Sequence, residues 1–464
     1  MSRALIGRTI RRLRGERDLT QQALAARLGI SASYLNLIEH DQRAVTASLL
    51  IKLAEVLRVD LATLSGSAER QLEAALREAL ADPQLGTDAI PEPELEAVAA
   101  SAPNAARAVL AMYRAWRVAR EDASGIALPS GRRVLLPTEE ARDFYNERLN
   151  HFPRLEEAAE ALAAGLKAAS PHEMNHAIAE RLRRVHGLTV SVQPLAGADR
   201  RYDPAARSLA LSEELPRESR GFQMAFQLAL LEARDAVEAE LAAGAPSSAE
   251  AAMLIRVGLL NYVAGAVLMP YAAFLAAAQA MRHDIEALAA HFGVSFEQVC
   301  HRLTTLGRPG ARGVPFFFLR VDPAGNVSKQ FSGAGFPFAR YGGSCPRWVV
   351  HTAFARPGGI EVQVSELTDG AAFLCFARRL DRPAPRWGEP RPTHVVAMGC
   401  ALTYAPDVVY ADGLDLERAR VGIGLSCRLC DRMDCRSRAF PPLEHRLALD
   451  PMTKSASPYK FERP

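Results

Sequence analysis

A chain of 464 residues with 49% hydrophobic and 23% charged residues is too long for one ordinary core, and its composition excludes a largely disordered or fibrous protein. The net charge of +3 is unevenly placed: the first 66 residues carry ten Lys/Arg against six Asp/Glu, a local +4, which leaves about −1 for the remainder. Two to four domains with a basic front end are expected.

The opening Met1-Ser2-Arg3 leads into a polar helix without an apolar signal region, which points to the cytoplasm. In that reducing compartment seven cysteines imply free thiols or metal ligation rather than disulfides. Ile6, Ile10 and Leu13 fall at helical spacing. Thr20 caps a second helix through Leu28, Gly29 supplies a turn, Ser31 caps a third helix toward Glu39, and Leu50, Leu53 and Leu57 line a fourth. Two short helices about a glycine turn form the helix-turn-helix pattern, whose second helix enters the major groove of double-stranded DNA. Its exposed start would present Ser31, Ser33, Tyr34 and Asn36. The run from Thr20-Gln21-Gln22 to Ser33-Tyr34-Leu35-Asn36 resembles the Cro/XRE-type repressors. That resemblance implies Gln21 and Gln22 near phosphate or base edges, Ser33 and Asn36 reading bases, and Arg43 on a phosphate.

Residues 1–66 are thus expected to form a DNA-binding domain. Residues 67–150 read as an Ala- and Glu-rich helical connector, interrupted at Pro83, Pro91, Pro93 and Pro103 and turning near Leu128-Pro129-Ser130-Gly131. It is a candidate dimerisation element, because such repressors bind two half-sites as two-fold homodimers.

Residues 151–306 are expected to be mainly helical. Pro171-His172-Glu173-Met174-Asn175-His176 contains a literal H-E-x-x-H, the zinc-peptidase signature. Ser170, Pro171 and Glu173 also fit N-cap, N1 and N3 of a capping box, and Met174, Ile178, Leu182 and Val185 would form the buried stripe opposite His172 and His176. A zinc peptidase using His172, Glu173 and His176 on a repressor partner is therefore the weaker reading, alongside an antitoxin-like DNA-binding protein with no small-molecule effector. The uncharged run from Val257 to Met281 is read as two buried helices broken at Pro270 rather than a membrane span. The order of a helix, the strand near Thr189-Val190-Ser191-Val192, the helix from Gly221 to Ala233 and the run Asn261 to Pro270 resembles the ImmA/IrrE-like metallopeptidase domain. At that family's zinc positions stand Phe226, Gln227, Leu230 and Ala266, none of them a metal ligand, so the resemblance implies a catalytically dead scaffold filled with apolar side chains.

Residues 307–464 are expected to form an α+β domain with a mostly antiparallel sheet, from Phe316–Val321, Ile360–Val364, Ala371–Arg378 and Thr393–Leu402, with turns at Asp322–Asn326 and Thr368–Gly370. Cys427-x2-Cys430-x4-Cys435 brings three thiolates to one centre, flanked by Arg428, Arg432, Arg436 and Arg438, which favour thiolate. A four-coordinate centre needs one more ligand, from Cys400, Cys345, His445 or a carboxylate; Cys400 is the choice made here. Structural zinc and an iron–sulfur cluster both fit the spacing. Cys300 and Cys375 read as core. The segments Gly313–Asp322, Gly342–Trp348 and Cys427–Pro442 resemble the PrpR/RamB/ScfR group of short-chain fatty-acyl transcriptional regulators, and the likeness extends over nearly the whole chain. It implies a non-enzymatic regulator of propionate- or acetate-type metabolism, with CoA or an acyl-CoA as effector and a [4Fe-4S] cluster on the C-terminal cysteines.

Overall fold

The structure, a computed structural model, describes residues 7–123 and 137–462, apart from 44, 58, 60–66, 83–84, 86–89, 169, 196, 339–343, 383–386, 389–390, 443–444, 449 and 458. The turn expected near Leu128-Pro129-Ser130-Gly131 and the junction at Ser65-Gly66 lie outside the described residues.

The chain starts with α1 (Gly7–Gly15), α2 (Gln21–Leu28), α3 (Ala32–Glu39) and α4 (Ala47–Leu57). Their boundaries follow from local chemistry. The Thr20 hydroxyl accepts from the Ala23 N–H and the Ser31 hydroxyl from the Tyr34 N–H, each 3.1 Å, filling orphan donors at the two helix starts. Between them Gly29 sits at φ +72, the left-handed conformation that ends α2 without a Cβ penalty. Gly7 is required for a different reason, since a Cβ there would lie 2.2 Å from the Ile38 carbonyl oxygen. Ile10, Leu13, Leu24, Leu28, Leu35, Ile38, Leu53 and Leu57 close a small core of their own.

The connector supplies α5 (Ser67–Leu80), α6 (Glu92–Ser101) and α7 (Pro103–Ala123), with a second core around Leu76, Leu95 and Leu110. It grips the front module through Arg12, which donates to the Ala100 carbonyl and reaches Glu69 at 3.3 Å.

Next come α8 (Pro137–Glu147), α9 (Pro153–Leu166), α10 (Met174–His186), the strands β1 (Thr189–Gln193), β2 (Arg200–Asp203) and β3 (Ser208–Ser212), and then α11 (Arg217–Glu232), α12 (Arg234–Gly244), α13 (Ala249–Leu268), α14 (Tyr271–Ala280), α15 (Ile285–Phe292) and α16 (Phe296–Leu303). The small sheet has order β1-β3-β2. Pro270 stands at the N-cap of α14 and breaks the long apolar run as expected. By length and composition α13 is long and apolar enough to cross a membrane, but 56% of that stretch is buried within the protein.

Two local expectations are corrected. Ser170 makes no side-chain cap bond, and Pro171–Glu173 forms a short 3-10 turn ahead of α10, so no capping box closes there. The buried stripe of α10 stops at Leu182, because Val185 is exposed in the last turn, next to the helix end at Gly187.

The last region holds β4 (Phe317–Val321), β5 (Val327–Ser332), α17 (Val349–Thr352), β6 (Ile360–Glu366), β7 (Ala372–Asp381), β8 (Thr393–Ala401) and β9 (Arg420–Gly422). The six strands run β5-β4-β8-β7-β6-β9, antiparallel except where β9 lies parallel to β6. The sheet is therefore mixed. Side chains alternate between its faces. Phe318, Val396, Met398 and Cys400 face the helices, in a core continuous with the whole middle region, whereas Phe317, Leu319, Val395 and Ala397 face a separate core with Phe336, Trp348 and Cys345. The division drawn at 306/307 separates two modules that share a core.

That shared core contains an ion pair. Arg302 meets Glu156 through two hydrogen bonds of 2.6 and 2.9 Å, Tyr262 donates to the same carboxylate, and Arg302 also donates to the Met269 carbonyl and the Thr305 hydroxyl. Burial works to raise the Glu156 carboxyl, but Arg302 and Tyr262 outweigh it and hold it below the usual range. Removing one partner strands the other, so Glu156→Gln should lower unfolding stability by about 3–5 kcal/mol. Because the folded-state value is depressed, this stabilisation is full above the unfolded carboxylate value of about 4.3 and fades as pH falls through the folded value. Denaturant titration of both proteins at pH 7 and pH 4 should find the gap narrower at the lower pH.

Candidate functional site

The front module presents α3 with Ser31, Ser33 and Asn36 exposed and Tyr34 half-buried. Gln21, at the start of α2, donates to Asn36 at 3.2 Å and to Glu39 at 3.0 Å, so the two helices share one polar seam. Glu39 is buried and held by Arg14 at 2.6 and 3.0 Å, and Arg14 also reaches the Leu19 carbonyl. The hydrogen bond and the charge of Glu39 raise the Arg14 pKa despite partial burial. Gln22 and Arg43 stand exposed beside this seam. A fixed polar ridge with a free outer edge suits backbone contacts from Gln22 and Arg43 and base contacts from Ser33 and Asn36.

In the middle module His172, Glu173 and His176 are exposed. At the positions matching a peptidase helix, Phe226 and Gln227 are buried, Leu230 is half-buried and Ala266 is fully buried. The packing there is not wholly apolar, because Arg200 from β2 lies over the Phe226 ring, 4.1 Å from its centroid.

The cysteine loop hangs from β9. Gly424, two residues past that strand, passes so close that a Cβ would lie 2.8 Å from the Cys430 sulfur. Arg432 anchors the loop to the sheet by donating to the Glu366, Leu367 and Ile423 carbonyls. Arg438, 3% exposed, is the inner staple: it donates to the carbonyls of Cys427 and Cys430 at 2.7 Å, of Arg432 at 2.9 Å and of Phe440 at 3.3 Å. These two arginines, expected from sequence to favour thiolate, are used mainly on backbone oxygens. Arg428 instead lies over the Phe440 ring. Ser457 donates to the Cys435 carbonyl, and Phe461 packs on Arg438 and His445. His445 itself pairs with Asp431 at 2.9 Å. A cavity of about 480 Å³, lined by Arg347, Glu366, Thr368, Arg432, Asp434 and Cys435, opens beside the loop.

The fourth-ligand expectation is corrected. Cys400 sits on β8, fully buried on the helix-facing side of the sheet, where its charge neighbours are Cys375 and Asp407 and burial drives its thiol pKa far up. Cys345 lies on the opposite side with the loop: the charges of Cys427 and Cys435 act on its thiol, and Cys345 acts on Cys430. Among the described residues no group of three His, Cys, Asp or Glu side chains is arranged as a finished metal shell. The donor chemistry nonetheless fits a thiolate-ligated group. The backbone N–H of Ala439 donates to the Cys427 sulfur at 3.4 Å, and the backbone amides of Gly424 and Arg347 beside Cys345 and of Arg432 beside Cys430 act to lower those thiol pKa values. Amide donors of this kind stabilise sulfur-borne negative charge. Burial outweighs them in the thiol forms and raises the pKa of Cys345 and Cys430. Cys300 and Cys375 are buried core residues, burial pushing the latter up to about 11.

Three family models match the chain in succession: Helix-turn-helix over residues 10–64, IrrE N-terminal-like domain over 171–304, and Short-chain fatty acyl coenzyme A regulator, C-terminal, over 305–459. The Propionyl-CoA carboxylase regulator of Cereibacter sphaeroides is 41% identical over 459 residues, 98% of each chain. The chain belongs to the short-chain fatty acyl coenzyme A regulator family. HTH-type transcriptional regulator RamB of Mycobacterium tuberculosis is 40% identical across 99% of both chains, and PrpR of the same organism is 38% identical across 99% of this chain and 96% of its own. A solved Mycobacterium tuberculosis transcriptional regulator superposes with TM-score 0.68 at 40% identity, covering 70% of this chain and 99% of that one. Family membership brings DNA binding through the helix-turn-helix module.

Arg438→Met would remove donors from four carbonyls at once, each an unmet acceptor worth about 1 kcal/mol or more when buried. Hydrogen exchange should quicken in residues 427–440 while the protection of α13 and α16 stays as in the wild type. Unchanged exchange in the loop would show that Arg438 is not its staple.

Proposed function

We propose that the protein is a sequence-specific transcriptional regulator of short-chain acyl metabolism of the propionate or acetate type, acting as a cytoplasmic homodimer or higher homo-oligomer on an operator. Its control is assigned to CoA or an acyl-CoA effector, to a [4Fe-4S] cluster, or to both. The supporting observation is one chain that joins an exposed polar helix to a loop bearing Cys427, Cys430 and Cys435, on the same side of the sheet as Cys345. These four would hold the cluster, with structural zinc as the alternative occupant. Bound there, a cluster supplies a charge and shape that respond to electron transfer and oxygen. The chain's own part is to exclude water with the Phe336 and Trp348 core and to set backbone amides beside the sulfurs, Ala439 N–H donating to Cys427. Coupling follows from linkage: a ligand favouring the DNA-competent form raises operator occupancy by the ratio of its affinities for the two forms. The middle module is assigned no peptidase activity, since His172, Glu173 and His176 lie on open surface and the peptidase helix positions carry no ligand.

Anaerobic purification with visible absorption and iron, sulfide and zinc analysis tests the cluster. The wild type and Cys400→Ser should both be brown with matched iron and sulfide, and Cys345→Ser should lose most of both. Retained iron in Cys345→Ser would remove that residue from the ligand set, and stoichiometric zinc in the wild type would make the site a structural one.

The operator contact separates two roles. Asn36→Ala should lose about 1–3 kcal/mol of discrimination at one base pair, whereas Arg43→Ala should weaken binding to every sequence alike and reduce the salt slope by about one. Titrations of operator and scrambled DNA at two salt concentrations distinguish them.

A further inference from the structure

We propose that the surface between β2 and α11 is an oxyanion site, in which Arg200 and Gln227 hold a carboxylate or phosphate borne on a small apolar body. Arg200 leaves the outer strand of the small sheet, stacks on Phe226 and donates to the Gln227 side-chain oxygen at 3.2 Å. It is half-buried, burial pushes its pKa down, and among the described residues no carboxylate pairs with it. Arg14, Arg181, Arg302 and Arg320 each meet an acid, Glu39, Glu232, Glu156 and Glu297 in turn, and the buried Arg438 spends its donors on four carbonyls, whereas Arg200 has one amide oxygen.

Gln227 carries the second, independent observation. It is completely buried, its oxygen is taken by Arg200, and its side-chain Nε2 has no partner among the described residues. An amide donor left unmet in a protein interior is costly, and so is a desolvated cation without a counter-ion. Because Gln227 bonds Arg200 through the same amide group, the orphan N–H and the guanidinium lie side by side. One oxyanion would answer both needs. Phe226 and Leu230, on successive turns of α11, would border an attached methyl or ethyl group. The helix positions at which peptidase relatives would hold a cation thus become a place for an anion.

The inference deepens the proposed effector control and rests on it only for the choice of probes. Full-length protein would be titrated with inorganic phosphate and with sodium propionate by calorimetry and thermal melting, at matched ionic strength with chloride. One probe should bind the wild type with Kd near about 1 mM and raise its melting temperature, and Arg200→Met and Gln227→Met should each weaken it by about tenfold or more. Phosphate binding alone assigns the site to a phosphorylated ligand, propionate binding alone to a free carboxylate. Arg200→Met, freed of an unpaired cation, should melt no lower than the wild type in chloride, which separates lost binding from misfolding. Failure of both probes to bind, or equal binding by Arg200→Met, would overturn the site. Anion binding that persists while operator affinity ignores every acyl-CoA would leave the site standing and remove the effector reading.

Discussion

The contact on which the molecule most depends is the Arg302–Glu156 pair, joining residues 146 positions apart, both buried inside the shared core. Two charges in that setting are tolerable because further hydrogen bonds support the pair, from Tyr262 to the carboxylate and from the guanidinium to the Met269 carbonyl and Thr305. Geometry this demanding sets the positions of α9, α13 and α16 against each other. From the end of α16 a short connection leads to β4 in the large sheet, so the orientation of that sheet is inherited from this pair. Tyr271 extends the arrangement, donating to the Ala311 carbonyl while Arg308 lies 4.2 Å from its ring centroid.

The sheet built on that base is two-sided, and this decides which cysteine can do what. A one-residue step along a strand moves a side chain to the other face. Cys400 and Ala401 are neighbours in sequence, yet the first joins the helix-facing core and the second packs against the cysteine-loop side. Cys345 reaches the loop because it precedes α17, which packs on that same side. No local spacing rule links Cys345 to Cys427, 82 positions later, so the sequence left four candidates open and the choice of Cys400 failed on facing.

What was legible in sequence was what depends on near neighbours. Thr20, Gly29 and Ser31 each announce a helix end by chemistry acting within three or four residues, and Pro270 breaks an apolar run by lacking an N–H. Where long-range packing competes, local signals faltered. Ser170 and Glu173 have the right identities for a capping box, but Pro171 and the following turn settle into a tighter helix. The parallel pairing of β9 with β6 involves three residues with little hydrophobic pattern, and only the descending loop places it. Arg200 gave no sequence signal at all, since its meaning lies in the acid that is not beside it.

The seal over the cysteine loop comes from Ser457 and Phe461, residues that emerge from synthesis after the loop itself. The front module, closed on its own core by Leu57, can fold as soon as its residues are free. At about 5–20 residues per second the interval between those two events is on the order of tens of seconds. Each newly made molecule therefore passes through a period in which its helix-turn-helix module can already be folded while the cysteine loop still lacks its C-terminal seal.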